Sequence, residues 1–511
     1  MPRMMKFVSA LGGVVLAAAL TAQAGGDPAL QSAEAVRPHL EMAPCHLPGV
    51  ERELRCGKLE VYENRATRQG RKISLRVVVL PAMPPMPPTS PTPQVPAPDP
   101  LFIIVGGPGQ SAVATAKAFS DIFAPVLRER DIVLVDQRGI AGSHALDCPL
   151  PGSDDAPQDY MGDMFDVAAL RNCLPRLDAD PALYTTPIAM DDLDDVRAAL
   201  GAERINLYGS SYGSRAALVY MRMHPGHVRS AVLRGVVPTN MRVPLFYARD
   251  SQRALEMLFA ECAADPVCKG AFPDLREKLA AVQARLAREP VSVDTRLAET
   301  GEKVFPIRLS LDNFNEALRH RLYNEEVNQI PLYVTRAANG DFSDVASLAL
   351  RLRRIAARGQ LLSVGMFLSV TCAEDIPFID PQEAKRLAAG GFLGTYRVDQ
   401  QVRACQVWPR GTLPPGYADD VHSDAPTLLI SGERDPVAPP VWGEQVARNL
   451  PHSLHLVLAQ GFHGLPDPCV TRIMNDFYRL GSADKLDTAC TKNVQHVPWM
   501  LPQEKLPEAK K

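Results

Sequence analysis

Short apolar runs alternate with longer amphipathic stretches through the first half of the chain and again near its end. Residues 101–105, 132–135, 205–208 and 231–233 are rich in Leu, Ile and Val, and the polar or glycine positions Gly106, Asp136, Gly209 and Arg234 end them. Runs this short and apolar predict parallel strands covered on both faces, and their alternation with helices predicts an α/β fold. Residues 72–80 read as another strand. Residues 190–200 read as a helix whose Asp191, Asp192, Asp194 and Asp195 are favoured by its N-terminal dipole. The rhythm lapses over 240–420, where 250–263 and 273–288 are helix-like, and returns at 427–430 and 454–458. The pattern predicts a core over 25–240, a large and mostly helical cap inserted over 241–420, a second core segment over 421–500, and a tail over 501–511.

The first 24 residues stand apart. Arg3 and Lys6 precede an apolar stretch from Phe7 to Leu20, and Ala22 and Ala24 supply the small residues a signal peptidase reads. The stretch is short for a bilayer core of about 30 Å. This segment is expected to be a signal peptide, the mature chain to be exported to the periplasm or the medium, and no stable membrane insertion to remain. Residues 81–100 hold ten prolines without helical or strand period and read as a surface loop of polyproline character between two strands.

Composition sharpens this picture. With 46% hydrophobic and 22% charged residues in 511, the chain is an ordinary globular protein. A net charge of −3, from 55 basic and 58 acidic residues, leaves no electrostatic reason to expect nucleic acid as a partner. All ten cysteines follow the first segment, and an even count in an exported chain points to disulfides. Spacing does not fix the pairing, although chain order suggests neighbours: 45 with 56, 148 with 173, 262 with 268, 372 with 405, and 469 with 490. None has the C-x-x-C spacing of a metal or redox site.

The candidate chemistry centres on Gly209-Ser210-Ser211-Tyr212-Gly213, a G-x-S-x-G pentapeptide between an expected strand and an expected helix. That context predicts a sharp turn presenting Ser211 as a nucleophile. A serine hydroxyl needs a base, and the base an orienting acid. Such folds run in the order Ser, acid, His. His463, between Gly461-Phe462 and Gly464, is the expected base. Asp435, after the run 427–430, is the expected acid, with Glu433 its nearest rival. The 28 residues between Asp435 and His463 suffice for a turn, a helix and a strand. Two N–H donors for the oxyanion are expected from Tyr212 and from Gly107 in Gly106-Gly107-Pro108-Gly109, since Pro108 has no N–H. No metal or organic cofactor is implied.

Together, Gly106 to Ser111, Asp136-Gln137-Arg138-Gly139, the Ser211 pentapeptide, Gly432 to Pro439 and Gly461 to Gly464 resemble the α/β-hydrolase peptidases of the proline iminopeptidase and tripeptidyl aminopeptidase family. The resemblance covers about 101–464. It implies an α/β-hydrolase fold with a helical cap and a serine exopeptidase acting on peptides with a free N-terminus. It also implies a carboxylate in the cap that binds the substrate amine, here Glu374 or, second, Asp375, while Arg138 braces a loop. The departures are Val105, Ala141 and Arg234, where proline iminopeptidases carry His, Gly and Asp; they bring the chain nearer the larger secreted tripeptidyl aminopeptidases. An esterase or lipase using the same triad, and a non-catalytic peptide binder, are the competing classes.

Overall fold

The computed structural model describes residues 39–83, 97–296, 304–360, 362–464, 467–493 and 497–502. The expected signal peptide, most of the proline-rich loop and nearly all of the tail lie outside these residues.

Nine strands form one sheet: β1 Leu40–Leu47, β2 Val50–Tyr62, β3 Lys72–Leu80, β4 Leu101–Ile104, β5 Ile132–Val135, β6 Ile205–Ser210, β7 Val228–Arg234, then, after a separate hairpin, β10 Thr427–Gly432 and β11 Ser453–Leu458. The hairpin pairs β8 Val291–Arg296 with β9 Val304–Leu309. Spatial order in the sheet is β1-β2-β3-β5-β4-β6-β7-β10-β11. The first three strands are antiparallel, and everything from β5 to β11 is parallel. The chain is an α/β hydrolase fold with a mostly parallel central sheet.

The short apolar runs become the central strands because their side chains are needed on both faces. On β4, Phe102 and Ile104 enter the core under one face, whereas Leu101 and Ile103 enter the core under the other. Helices Thr186–Ala199 and Tyr212–Met223 cover the first face, and Pro468–Leu480 covers the second.

Strands β1, β2 and the β8–β9 hairpin had no counterpart in the sequence reading. Their alternating side chains leave one set in water, and on β1 no residue is fully buried, so they lack the continuous apolar signal of the central strands. Between β7 and β10 the chain is mainly helical. Helices Tyr247–Ala264, Leu275–Arg288, Leu311–Arg321, Ile330–Ala338 and Ser343–Ala357 meet in a core of their own around Leu255, Phe314, Leu318 and Leu350.

All ten cysteines are bridged, and the pairs are the sequence neighbours: Cys45–Cys56, Cys148–Cys173, Cys262–Cys268, Cys372–Cys405 and Cys469–Cys490. Five bridges belong to an oxidising environment. No helix among the described residues is long and apolar enough to cross a membrane. A cross-link of this kind stabilises by about 3 kcal/mol for a loop of roughly 15 residues. Thiol titration of the denatured, unreduced protein is therefore expected to find at most about two free thiols per chain; eight or more would contradict the bridges.

Candidate active site

Parallel strands bring their C-terminal ends to one edge of a sheet, and loops from neighbouring strands meet there. Strands β6, β7, β10 and β11 are consecutive neighbours, so the loops carrying Ser211, Gly235, Asp435 and His463 leave the same edge.

Ser211 lies between β6 and helix Tyr212–Met223 with φ 56° and ψ −126°, a left-handed conformation that a serine occupies only under constraint. The backbone around it leaves no room for side chains. A Cβ on Gly209 would stand 2.4 Å from the carbonyl oxygen of Gly213, and one on Gly213 would stand 2.1 Å from that of Ile104. The two outer glycines of the pentapeptide are thus demanded by packing. The Ser211 amide donates to the Arg234 carbonyl at 2.8 Å, and Ser214 Oγ donates to the Ser211 carbonyl at 2.6 Å. The Tyr212 amide belongs to the first turn of the helix, whose N–H groups have no carbonyl within it. Gly107, at φ 110°, lines the same cavity as Ser211.

Asp435 is fully buried. One of its oxygens accepts from the amides of Val437 and Ala438 at 2.9 and 2.8 Å, and the other accepts from His463 Nδ1 at 2.6 Å. Burial pushes this carboxyl up, but the imidazole and the two amides outweigh it and hold it below the usual carboxylate range. Asp435, not Glu433, meets the imidazole. Arg253 braces the turn by donating to the carbonyls of Glu433 and Asp435 at 2.6 and 2.9 Å. Gly235, at φ 56°, underlies the pair: a Cβ there would stand 3.0 Å from His463 Cε1 and 3.1 Å from Nδ1.

Ser211 and His463 both line a cavity of about 470 Å³ beneath the helices that join β7 to β10. A larger groove, of about 840 Å³, opens on those helices and contains neither residue. The smaller cavity has apolar walls, including Leu150, Phe165, Leu352 and Phe367, and a polar set that the sequence reading missed: Arg234, Glu316, Arg319, Arg353, Tyr323 and Arg397. The Tyr323 ring meets the His463 imidazole edge-on at 5.2 Å. His320 also lines this cavity; burial first, then Arg319 and Arg321, push its imidazole down to about 4. Most of these residues lie on helices in the expected cap, where nothing in sequence separates an inward residue from a solvated one. Arg234 was visible only as a departure from the family pattern.

The structure corrects the expectation for Glu374 and Asp375. Neither lines the cavity, and both are buried at the end of helix Val364–Glu374 against the helix that follows Ser211. Glu374 accepts from the Thr186 amide at 2.7 Å, the Thr186 hydroxyl at 2.8 Å and the Tyr417 hydroxyl. Asp375 pairs with Arg215 at 2.9 Å and accepts from the Val243 amide at 3.0 Å. Both acids are engaged inside the protein and neither faces the cavity, which does not fit them to hold a substrate amine there. Arg138 is likewise internal, paired with Asp192 at 2.6 Å.

A serine at a strand-to-helix turn, with an imidazole on a buried carboxylate at the same sheet edge, defines a serine hydrolase of the α/β class. The α/β-hydrolase fold family model matches residues 99–268, and the model described as TAP-like protein matches residues 391–490. Serine protease Hip1 of Mycobacterium tuberculosis (strain ATCC 25618 / H37Rv) is 24% identical, covering 96% of this chain and 98% of that one. A tripeptidyl aminopeptidase of Streptomyces coelicolor is 32% identical over 26% of this chain and 27% of its own. A proline iminopeptidase of Neisseria gonorrhoeae is 27% identical over 27% of this chain and 32% of its own. These matches support the α/β-hydrolase peptidase family and, within it, a serine peptidase in the broad sense.

Two outcomes follow from the geometry. Gly235→Ala places a methyl group against the imidazole, and is expected to lower kcat by about 10- to 100-fold with an unchanged circular dichroism spectrum. Glu374 is the second. Burial, partly offset by Arg215 and its hydrogen bonds, raises this carboxyl from 4.5 to about 7. A raised acid stabilises the fold fully below the unfolded value and loses that contribution as pH rises through the folded value, here on the order of 3 kcal/mol. Urea unfolding of Glu374→Gln between about pH 5 and about pH 7 should show a smaller fall in stability than the parent chain.

Proposed function

We propose that the chain is an exported serine aminopeptidase that cleaves peptide bonds near a free N-terminus. Ser211 Oγ attacks the peptide carbonyl while His463 takes its proton. Asp435 holds the imidazole in the required tautomer and stabilises its charged form. The amides of Gly107 and Tyr212 receive the oxyanion. His463 then gives the proton to the departing amine, and water releases the acyl group from Ser211 by the same steps. The helices between β7 and β10 act as the cap that closes the cavity.

The observation that carries this reading is the 2.6 Å bond from His463 to the buried Asp435, with His463 lining a cavity that Ser211 also lines. A finite cavity suits an exopeptidase, because only a chain end fits. For the amine we turn to Glu316. Its Oε2 is held by Arg319 at 3.0 Å, with Arg397 at 3.7 Å, whereas its Oε1 is buried without a hydrogen-bond partner among the described residues. A substrate ammonium would supply that partner. Export is supported by the five disulfides and by the three-part pattern of the first 24 residues. The apolar walls favour a carboxylic ester as the second reading.

Mono-, di- and tripeptidyl anilides with free and blocked amines test this reading. Cleavage restricted to free amines is expected; hydrolysis of esters alone would overturn it. Ser211→Ala should abolish turnover and labelling by a serine-directed phosphonate while the fold persists. Glu316→Gln should raise KM for free-amine substrates by about tenfold or more.

A further inference from the structure

The cavity around Ser211 carries more positive charge than the binding of an amine calls for. Among the described residues that line it, four guanidinium groups, of Arg234, Arg319, Arg353 and Arg397, stand against one carboxylate, Glu316. Arg319 and Arg397 share that carboxylate. Among the described residues Arg353 donates to backbone carbonyls, those of Tyr160, Gly162 and Asp163, at 2.9, 2.8 and 2.5 Å. Arg234 is 8% exposed, and among the described residues no carboxylate lies within 4.0 Å of it. Its polar neighbour is the buried Tyr208 hydroxyl. His320 does not alter the balance, because its imidazole is neutral in this setting.

A guanidinium removed from water without an anion is costly, and a planar carboxylate is the group that matches its fork of donors. Arg234 is also next to the chemistry. Its own carbonyl accepts the Ser211 amide at 2.8 Å, and its side chain lines the cavity beside Ser210 and Ser211. We infer that this site selects peptides bearing a carboxylate close to the scissile bond, and that Arg234 is the residue that pairs with it. In a short peptide the carboxylate is either an Asp or Glu side chain or the C-terminus. The inference rests on the peptidase reading above, with Glu316 taking the amine and Arg234 the acid.

The test compares kcat/KM for matched pairs on the full-length mature protein. Free-amine anilides of Glu against Gln, and of Asp against Asn, carry no C-terminal acid and isolate the side chain. Tripeptides with a free C-terminus, set against their C-terminal amides, isolate the other source. In at least one arm the acid is expected to be preferred by about 10- to 100-fold. Arg234→Gln should reduce that ratio to within about threefold, and Arg234→Lys should restore part of it. Ratios near one in both arms of the parent protein overturn the inference and leave the peptidase reading standing, as does a preference that survives Arg234→Gln. Failure to cleave any free-amine peptide or anilide overturns both. Should Arg234→Gln not fold, competition on the parent protein decides: stronger inhibition by glutarate than by glutaramide supports the acid site, and equal inhibition overturns it.

Discussion

Everything at the sheet edge depends on one reach. His463 leaves β11, yet it must approach Ser211 at the end of β6, and β10 and β7 stand between them. The imidazole reaches back as far as Gly235, at the end of β7, because each intervening strand end makes way or gives support. At the end of β10, Asp435 receives Nδ1 at 2.6 Å and is itself fixed by two backbone amides. At the end of β7 stands Gly235, where any side chain would press on the ring. Behind them, Gly432 and Gly461 let the acid loop and the histidine loop pack backbone to backbone; a Cβ on Gly432 would stand 2.4 Å from the Gly461 carbonyl oxygen. Losing the carboxylate would leave both amides and the imidazole without their acceptor in a dry place, at a cost of about 1–3 kcal/mol for each unsatisfied group.

The nucleophile turn is tied down from the opposite side. Arg215, one turn into the helix after Ser211, is paired with Asp375, and Tyr212 shares a hydrogen bond of 2.9 Å with Thr186, which donates in turn to Glu374. Both acids end helix Val364–Glu374, within the segment joining β7 to β10. Breaking a buried ion pair by removing one member costs about 3–5 kcal/mol. The strained conformation of Ser211 is thereby held from the sheet through its glycines and from the inserted segment through this network. Two residues that resemblance suggested as substrate ligands serve the site by fastening its scaffold.

This contrast shows what a sequence carries. The central strands were legible because burial on both faces leaves a continuous apolar run, and the Ser211 turn because steric demand at Gly209 and Gly213 leaves glycine as the residue that fits. The end of an apolar strand marked where the acid should lie but left Glu433 as a rival two residues away, and the structure gives the imidazole to Asp435. The half-exposed strands β1, β2, β8 and β9 were illegible, since alternation without a full core face is also the pattern of a loop. Glu374 and Glu316 could not be told apart as candidates. Each is a glutamate on a helix between 240 and 420, and what separates them is rotation about a helix axis relative to a partner far away in sequence. The charge of the cavity was invisible for the same reason: Arg234 comes from β7, Arg319 and Arg397 from two different helices.

The cavity wall depends on the compartment in a way the Asp435–His463 pair does not. Phe165, Val364 and Phe367 line the cavity and belong to one apolar cluster that also contains Cys148, Cys173, Cys372 and Cys405. Two of the five bridges therefore stiffen one wall of the cavity. One of them joins helix Val364–Glu374, the helix that ends in the two fastening acids, to helix Tyr396–Cys405, which carries Arg397. The residues at the sheet edge need no bridge, since buried strands and backbone amides position them. Reduction would loosen the wall and the placement of Arg397 while leaving Asp435 and His463 in register, so under the proposed function selection among substrates is the property most exposed to the redox state of the surroundings.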